Sequence, residues 1–183
     1  VTEIGAVLDI ALDRSVENIL WITFMYLGLV PLWVPIVFLI RSFVVDGVRG
    51  VAGKPPLDRV TVRRLGAALV RALPKNGSPR VLVGRDTRGS GPDLEEAFAR
   101  GVVAAGGNAI LAGVLPTPAV ALLALDLGVV ISASHNPWRD NGIKFFTRGG
   151  HKLGDIIEDA VESRLGEPWD RPTGAAVGRV TDD

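Results

Sequence analysis

The 183-residue chain has no cysteine, one methionine, one tyrosine and only two histidines. Without cysteine there is no disulfide framework, no thiolate metal centre and no cysteine nucleophile. Two histidines alone are a poor basis for a structural zinc site. Net charge is also missing, since 20 basic and 20 acidic side chains cancel. That argues against a bulk electrostatic nucleic-acid binder, while leaving room for a local basic pocket. No internal repeat or low-complexity tract is present. A hydrophobic fraction of 48% with 22% charged residues excludes a disordered or collagen-like chain. The length suits one ordinary domain, or a small domain with an appendage, and can bury a real core. Because the sequence opens on Val1 rather than Met, it is expected to be a piece of a longer protein.

What is there divides into two parts. The mean hydropathy of +0.31 is high for a soluble α/β domain, and it is concentrated near the start. From Ile19 to Ile40 no residue is charged, with Glu17 before the run and Arg41 after it. About 20 apolar residues span a bilayer, so the run is long enough. Trp21, Tyr26 and Trp33 are the amphipathic aromatics that settle at a membrane interface. Pro31, Pro35 and Gly28 equally suit two shorter helices, over 19–27 and 33–45. A buried core helix is the other reading of the run. It lacks the form of a signal peptide.

From about residue 46 the composition is that of a soluble domain. Residues 57–73 place Val62, Leu65, Leu69 and Leu73 at helical spacing with Arg63, Arg64 and Arg71 opposite. The stretch 74–79, Pro-Lys-Asn-Gly-Ser-Pro, ends that helix. Strands are expected over 80–84, 108–113, 128–132 and 143–147, with helices over 92–105, 116–127 and 155–165. Strands alternating with helices imply a three-layer α/β/α domain around a mixed, mostly parallel four-stranded sheet. Past Gly166 the chain is rich in Pro and Gly, and residues 171–183 read as a linker.

The densest chemistry lies in Gly128-Val-Val-Ile-Ser-Ala-Ser-His-Asn-Pro137, continuing Trp-Arg-Asp-Asn-Gly-Ile-Lys-Phe-Phe146. A hydrophobic strand runs into a polar turn holding Ser134, His135 and Asn136, and Lys144 follows on the next strand. Strand ends in open α/β sheets are where ligands bind. A hydroxyl, an imidazole, an amide and an ammonium together could handle an anion in transfer. A turn that merely reverses the chain, with His135 capping a helix, fits the same residues. A serine-hydrolase triad fits poorly, because no Gly-x-Ser-x-Gly elbow surrounds Ser134.

Four ordered motifs decide between these readings. Ile131-Ser-Ala-Ser-His-Asn-Pro137 with Asp140-Asn-Gly-Ile-Lys144 resembles the active-site serine loop of the α-D-phosphohexomutase superfamily. Asp46-Gly-Val-Arg-Gly-Val-Ala-Gly53, Val83-Gly-Arg-Asp-Thr-Arg-Gly-Ser-Gly91 and Gly113-Val-Leu-Pro-Thr-Pro-Ala119 resemble its other first-domain motifs, in the same order. Their forms look most like the bacterial phosphoglucosamine mutase branch, and the resemblance runs from residue 46 to the end. It implies a serine that carries a phosphoryl group and exchanges it with a hexose phosphate, glucosamine phosphate foremost, through a bisphosphate intermediate. Ser134 would be that phosphoserine, and its phosphate would be one ligand to Mg2+. Arg49 and Lys144 would flank the transferring group, and His135 would orient the loop or the phosphate. Asn136 and Arg88 would face substrate. Arg85 and Arg88 would lend positive charge, with ion pairing to Asp86 as the alternative for one of them. The superfamily's Asp-x-Asp-x-Asp metal loop, sugar-recognition loop and C-terminal phosphate loop are not in this sequence. Little turnover is therefore expected from these residues alone. The resemblance implies a cytoplasmic domain with no nucleic-acid partner.

Residues 1–45 resemble something else. Gly5-Ala-Val-Leu-Asp9-Ile-Ala-Leu-Asp13-Arg14 is a G-x3-D-x3-D pattern that puts Asp9 and Asp13 on one helical face, able to share a divalent cation. It is similar to half of the signature of the CDP-alcohol phosphatidyltransferases, membrane enzymes of phospholipid synthesis. Gly28-Leu-Val-Pro-Leu-Trp33 and Arg41-Ser-Phe-Val-Val-Asp-Gly-Val-Arg49 look like the loop and helix that follow in the phosphatidylglycerophosphate synthase branch. On that resemblance, residues 19–45 would associate with a membrane. The two resemblances meet at Asp46-Gly-Val-Arg49, as if two unrelated pieces were joined there. A first strand through 43–48 is expected to be frayed, or replaced by a helix running on to Val45.

Overall fold

The computed structural model divides into two compact units, Val1–Asp46 and Gly47–Asp183. The structure describes residues 23, 26–28, 48–74, 77–134, 136–151 and 153–182. In the first unit the Leu27 N–H donates to the Thr23 carbonyl at 2.9 Å, and Tyr26 and Leu27 are exposed. Asp9, Asp13 and nearly all of the 19–45 apolar segment lie outside the described residues. No helix among the described residues is long and apolar enough to cross a membrane.

The second unit begins with β1 (Val48–Val51) and α1 (Arg59–Ala72). Asp58 caps α1 by accepting from the Val60 and Thr61 N–H groups, both at 3.0 Å. Val62, Leu65 and Leu69 face the core while Arg63 and Arg64 stay outside, as the helical spacing requires. Then follow β2 (Arg80–Arg85), α2 (Gly91–Ala104) with Pro92 in its first turn, and β3 (Asn108–Val114). The short helix α3 (Thr117–Leu123) leads to β4 (Leu127–Ile131), β5 (Asp140–Thr147) and α4 (Asp155–Arg164). A single 3-10 turn, Gly174–Ala176, and β6 (Val180–Asp182) close the unit.

The sheet order is β1-β5-β4-β2-β3-β6. Here β1–β5 and β4–β5 pair antiparallel, whereas β4–β2, β2–β3 and β3–β6 pair parallel. Among the described residues the sheet therefore has six strands, not the expected four. The two extra ones are short edge strands, Val-Arg-Gly-Val and Val-Thr-Asp, which carry no run of alternating hydrophobics and exist through pairing with a neighbour. Of the expected first strand over 43–48, only Val48 is described, and it opens β1. The 171–183 stretch, expected to be a linker, holds β6. It is anchored by Gly178 N–H to the Val103 carbonyl (3.1 Å) and Arg179 N–H to the Asn108 side-chain oxygen (3.0 Å).

Helices cover both sheet faces. Alternate residues of the strands (Val81, Val83, Leu127, Val129, Ile131, Ile143) pack with Leu65, Leu69, Leu94, Phe98 and Val102 of α1 and α2, and with Val161 of α4. The intervening residues Leu82 and Val130 pack with Val120 of α3 on the other face. β4 is buried at every position, as befits a central strand covered on both sides.

Candidate functional site

β2, β3 and β4 run parallel, and β1 shares their direction because it and β4 are both antiparallel to β5. All four therefore end at one edge of the sheet, where the loops 52–58, 86–90, 115–116 and 132–139 gather. Backbone bonds tie these loops together. Asp86 N–H donates to the Ile131 carbonyl, Leu115 N–H to Arg85 and Ala52 N–H to Arg139, each at 3.1 Å.

Ser134 sits in the loop between β4 and β5 with its side chain exposed and φ of 55°. Among the described residues it is the one non-glycine residue in the left-handed region. Such a conformation costs about 1–2 kcal/mol and persists where surrounding contacts enforce it. Those contacts are visible: the Ser134 N–H donates to Ser132 Oγ at 3.0 Å, and the Asn136 N–H to the Ala133 carbonyl at 3.1 Å.

Arg88 holds the same loop from beneath. One terminal nitrogen donates to the carbonyls of Asn136 (3.2 Å), Pro137 (2.8 Å) and Asp140 (3.2 Å). The other donates to Ser134 (2.7 Å) and Asn136 (3.1 Å). Its Nε donates to Asp86 Oδ2 at 2.9 Å, while Asp86 Oδ1 accepts the Arg88 N–H at 3.0 Å. The Arg88 side chain is only 11% exposed. In this structure its donors are directed at loop carbonyls and at Asp86. Arg85 likewise pairs with Glu95, at 2.9 Å, in a half-buried contact.

Strand register places the other two cations. Arg49 on β1 is opposite Gly142 of β5, and Lys144 is two residues further along β5, so both side chains leave the same face of the sheet. Lys144 is opposite Val130, which belongs to the α3 face. Gly142 has to be glycine, since a Cβ there would lie 2.9 Å from the Ser132 carbonyl oxygen and 3.2 Å from Arg49 Cγ. Asn136 is half-buried at the foot of the loop, and His135 lies outside the described residues.

Three supporting residues were not expected from the sequence. Asn141 is fully buried, donates to Ser90 Oγ at 2.9 Å and accepts the Gly142 N–H at 2.8 Å, joining the start of β5 to the 86–90 loop. Its position in Asp-Asn-Gly was legible, but its partner is 51 residues away. Ser90 and Ser132 are the other two. Among the described residues no group of three or more His, Asp or Glu side chains could hold a metal ion.

A mixed sheet between two helical layers, with its polar loops collected at the carboxyl ends of the parallel strands, defines an α/β/α domain of the kind that binds ligand at that edge. Within that class the family is specific. The chain belongs to phosphoglucomutase/phosphomannomutase, alpha/beta/alpha domain I, which matches residues 41–168 and so begins before the boundary expected at residue 46. The phosphoglucosamine mutase of Acidothermus cellulolyticus is 53% identical over 151 residues, covering 78% of this chain and 32% of that protein. The phosphoglucosamine mutase of Thermobifida fusca is 52% identical over 151 residues, covering 78% of this chain and 33% of that protein. The crystal structure of a phosphoglucomutase/phosphomannomutase family protein from Burkholderia thailandensis superposes with a TM-score of 0.61 at 32% identity, covering 75% of this chain and 32% of that one. The chain thus spans about a third of the length of these relatives.

Proposed function

We propose that this chain is the serine-bearing domain of a phosphoglucosamine mutase-like enzyme and that Ser134 is its phosphoryl carrier. The observation that carries the reading is Ser134 itself: an exposed hydroxyl on a backbone forced to φ 55° and clamped by Arg88 at the ligand edge of the sheet. A nucleophile presented on a strained, rigid turn is positioned before substrate arrives. In the forward half-reaction the Oγ–P bond of phosphoserine breaks and an O–P bond forms at a hexose-phosphate hydroxyl. The proton of that hydroxyl leaves to a base, and the Ser134 oxygen regains a proton. The reverse step on the resulting bisphosphate returns the phosphoryl to Ser134. Arg49 and Lys144, on one face beside the loop, would offset the charge of the moving group. Asn136 would contact substrate, and His135 would orient the loop or the phosphate.

The resemblance also implies Mg2+ and a cytoplasmic setting. Among the described residues no group of three or more His, Asp or Glu side chains stands ready to complete a Mg2+ site around a Ser134 phosphate. The residues behind the CDP-alcohol phosphatidyltransferase resemblance, Asp9 and Asp13 and nearly all of 19–45, lie outside the described residues.

The test is intact-mass measurement and peptide mapping of the chain, as isolated and after exposure to a hexose bisphosphate with Mg2+. The expected outcome is one phosphoryl group on the Ser134 peptide, absent in Ser134→Ala. A phosphoryl group on any other residue, or none under either condition, would overturn Ser134 as the carrier in this chain.

A further inference from the structure

The outer surface of α1 and α2 carries a feature that the serine site does not use. These helices cross with their backbones in contact, because a Cβ on Gly101 would collide with the Arg63 carbonyl and one on Gly66 with the Phe98 carbonyl. The close crossing, with Ala67, Ala97 and Ala104 beside it, leaves a shallow groove of about 360 Å³ floored by small residues. Its walls are arginine. Arg59, Arg63, Arg64 and Arg71 come from α1 and Arg100 from α2. Arg164 ends α4, and Arg171 follows on the chain after it. Seven of the 16 arginines of a chain with zero net charge thus line one concavity.

Only part of that charge is neutralised. Arg59 pairs with Asp93 (3.0 Å) and Glu96 (2.6 Å), Arg100 also pairs with Glu96, and Arg71 with Glu167. Arg63, Arg64 and Arg171 have no carboxylate partner among the described residues. The far wall is held in place by Trp169, whose ring centre lies 5.1 Å from the Arg71 guanidinium carbon and 5.9 Å from that of Arg171. Arg71 is further fixed by donating to the Arg164 carbonyl at 3.3 Å. Guanidinium groups gathered around a small-residue floor match the fork geometry of phosphate oxygens, and a concave site concentrates their field.

We propose that this groove is a second anion site, separate from the serine edge, that binds a chain of phosphates such as the triphosphate of a nucleotide or inorganic polyphosphate. It lies on the face of the sheet covered by α1, α2 and α4, whereas Arg49 and Lys144 leave the opposite face. A single phosphate engages one or two guanidiniums, while a linear triphosphate offers oxygens to several of them at once. Compactness favours a small polyanion over an acidic protein surface, which would meet the rim and not the floor.

The experiment is calorimetric titration of the full chain with inorganic tripolyphosphate at low ionic strength, with orthophosphate, ATP and a poly-glutamate peptide in parallel. One saturable tripolyphosphate site is expected, with weaker orthophosphate binding. Arg63→Gln/Arg64→Gln and Arg171→Gln should each weaken it about tenfold or more, since charge-assisted bonds are lost, with far-UV circular dichroism and the thermal midpoint unchanged. ATP binding at least as well as tripolyphosphate would identify a nucleotide source, and tripolyphosphate alone an inorganic one; either supports the site. The proposal is overturned if binding is unsaturable, or if the arginine variants leave it unchanged. Loss in Lys144→Ala instead would put the anion at the serine edge. Equal competition by poly-glutamate would make the groove a protein-docking face.

Discussion

The two faces of the sheet are packed differently. One is sealed by α1, α2 and α4 over a continuous core that includes Phe98, Leu69, Leu127, Ile131 and Ile143, all fully buried. Among the described residues the other carries α3 alone, seven residues long, and its buried apolar cluster is Leu82, Val120 and Val130. The half of that second face over β1 and β5 carries Arg49 and Lys144. Among the described residues the buried core is therefore concentrated on the face away from Arg49 and Lys144, and the face with less apolar cover is the one that carries the two cations proposed to act beside Ser134. A chain that covered both faces equally would bury those cations at a desolvation cost of several kcal/mol each.

The comparison can be broken most forcefully on the sealed face. Phe98→Ala should destabilise the unit by about 3–5 kcal/mol, measured by urea unfolding, because it opens a cavity against Phe145, whose ring lies 6.2 Å away. A loss as small as that from trimming the α3 face would end the distinction. Gly66→Ala comes next. The added methyl meets the Phe98 carbonyl and must push α1 from α2, for a loss of about 1–3 kcal/mol. On the thin face, Val130→Ala should cost about 2 kcal/mol, since two buried carbons are removed opposite Lys144.

Two variants sharpen the comparison at the ligand edge. Arg88→Ala removes the clamp on four loop carbonyls, so phosphoryl occupancy of Ser134 by mass spectrometry should fall about tenfold or more while the helical signal stays. Ser134→Gly should raise stability by about 1 kcal/mol, because glycine accepts φ 55° without strain, and should abolish phosphorylation. Stability and chemistry would then move in opposite directions at one residue.

The smallest effect is electrostatic. The Asp126 carboxyl is held below the usual range by the Arg80 backbone N–H and by the Arg80 and Arg148 side chains. Glu96 is held down first by its bond from Arg59, and Asp58 first by the Thr61 hydroxyl. A depressed folded-state pKa contributes stability that is complete above the unfolded value and is lost as pH falls through the folded one. These groups should therefore leave the thermal midpoint flat from neutral pH to about pH 5 and lower it below about pH 4. Asp126→Asn should make that acid limb shallower, and an unchanged limb would remove Asp126 from the account.

Local order was readable from the sequence wherever it was written in neighbours. The spacing of Val62, Leu65 and Leu69 and the Pro-bounded stretch after α1 placed that helix to within two residues. The run Gly-Val-Val-Ile placed β4 to within one, and α3 proved shorter than expected, ending at Leu123. β6 was not legible, and β1 only as a frayed strand ending near Val48, because Val48–Val51 and Val180–Asp182 are extended where β5 and β3 offer backbone partners. At the candidate site the ordered motifs singled out Ser134, Asn136, Arg49 and Lys144 as candidates. For Arg88 the sequence showed a charge without showing that its donors run to the carbonyls of the serine loop.

Sequence alone determined the helix and strand periods, the polar turn after β4 and the family. These depend on side chains within a few residues of one another, or on motifs whose order survives without coordinates. Tertiary structure alone decided that Arg88 turns inward under the serine loop, that Asn141 reaches Ser90, and that seven arginines scattered between positions 59 and 171 meet over a floor of glycine and alanine. Each is a contact across tens of residues, fixed by strand order and by how closely two helices can approach, and neither quantity is encoded in any local stretch of the chain.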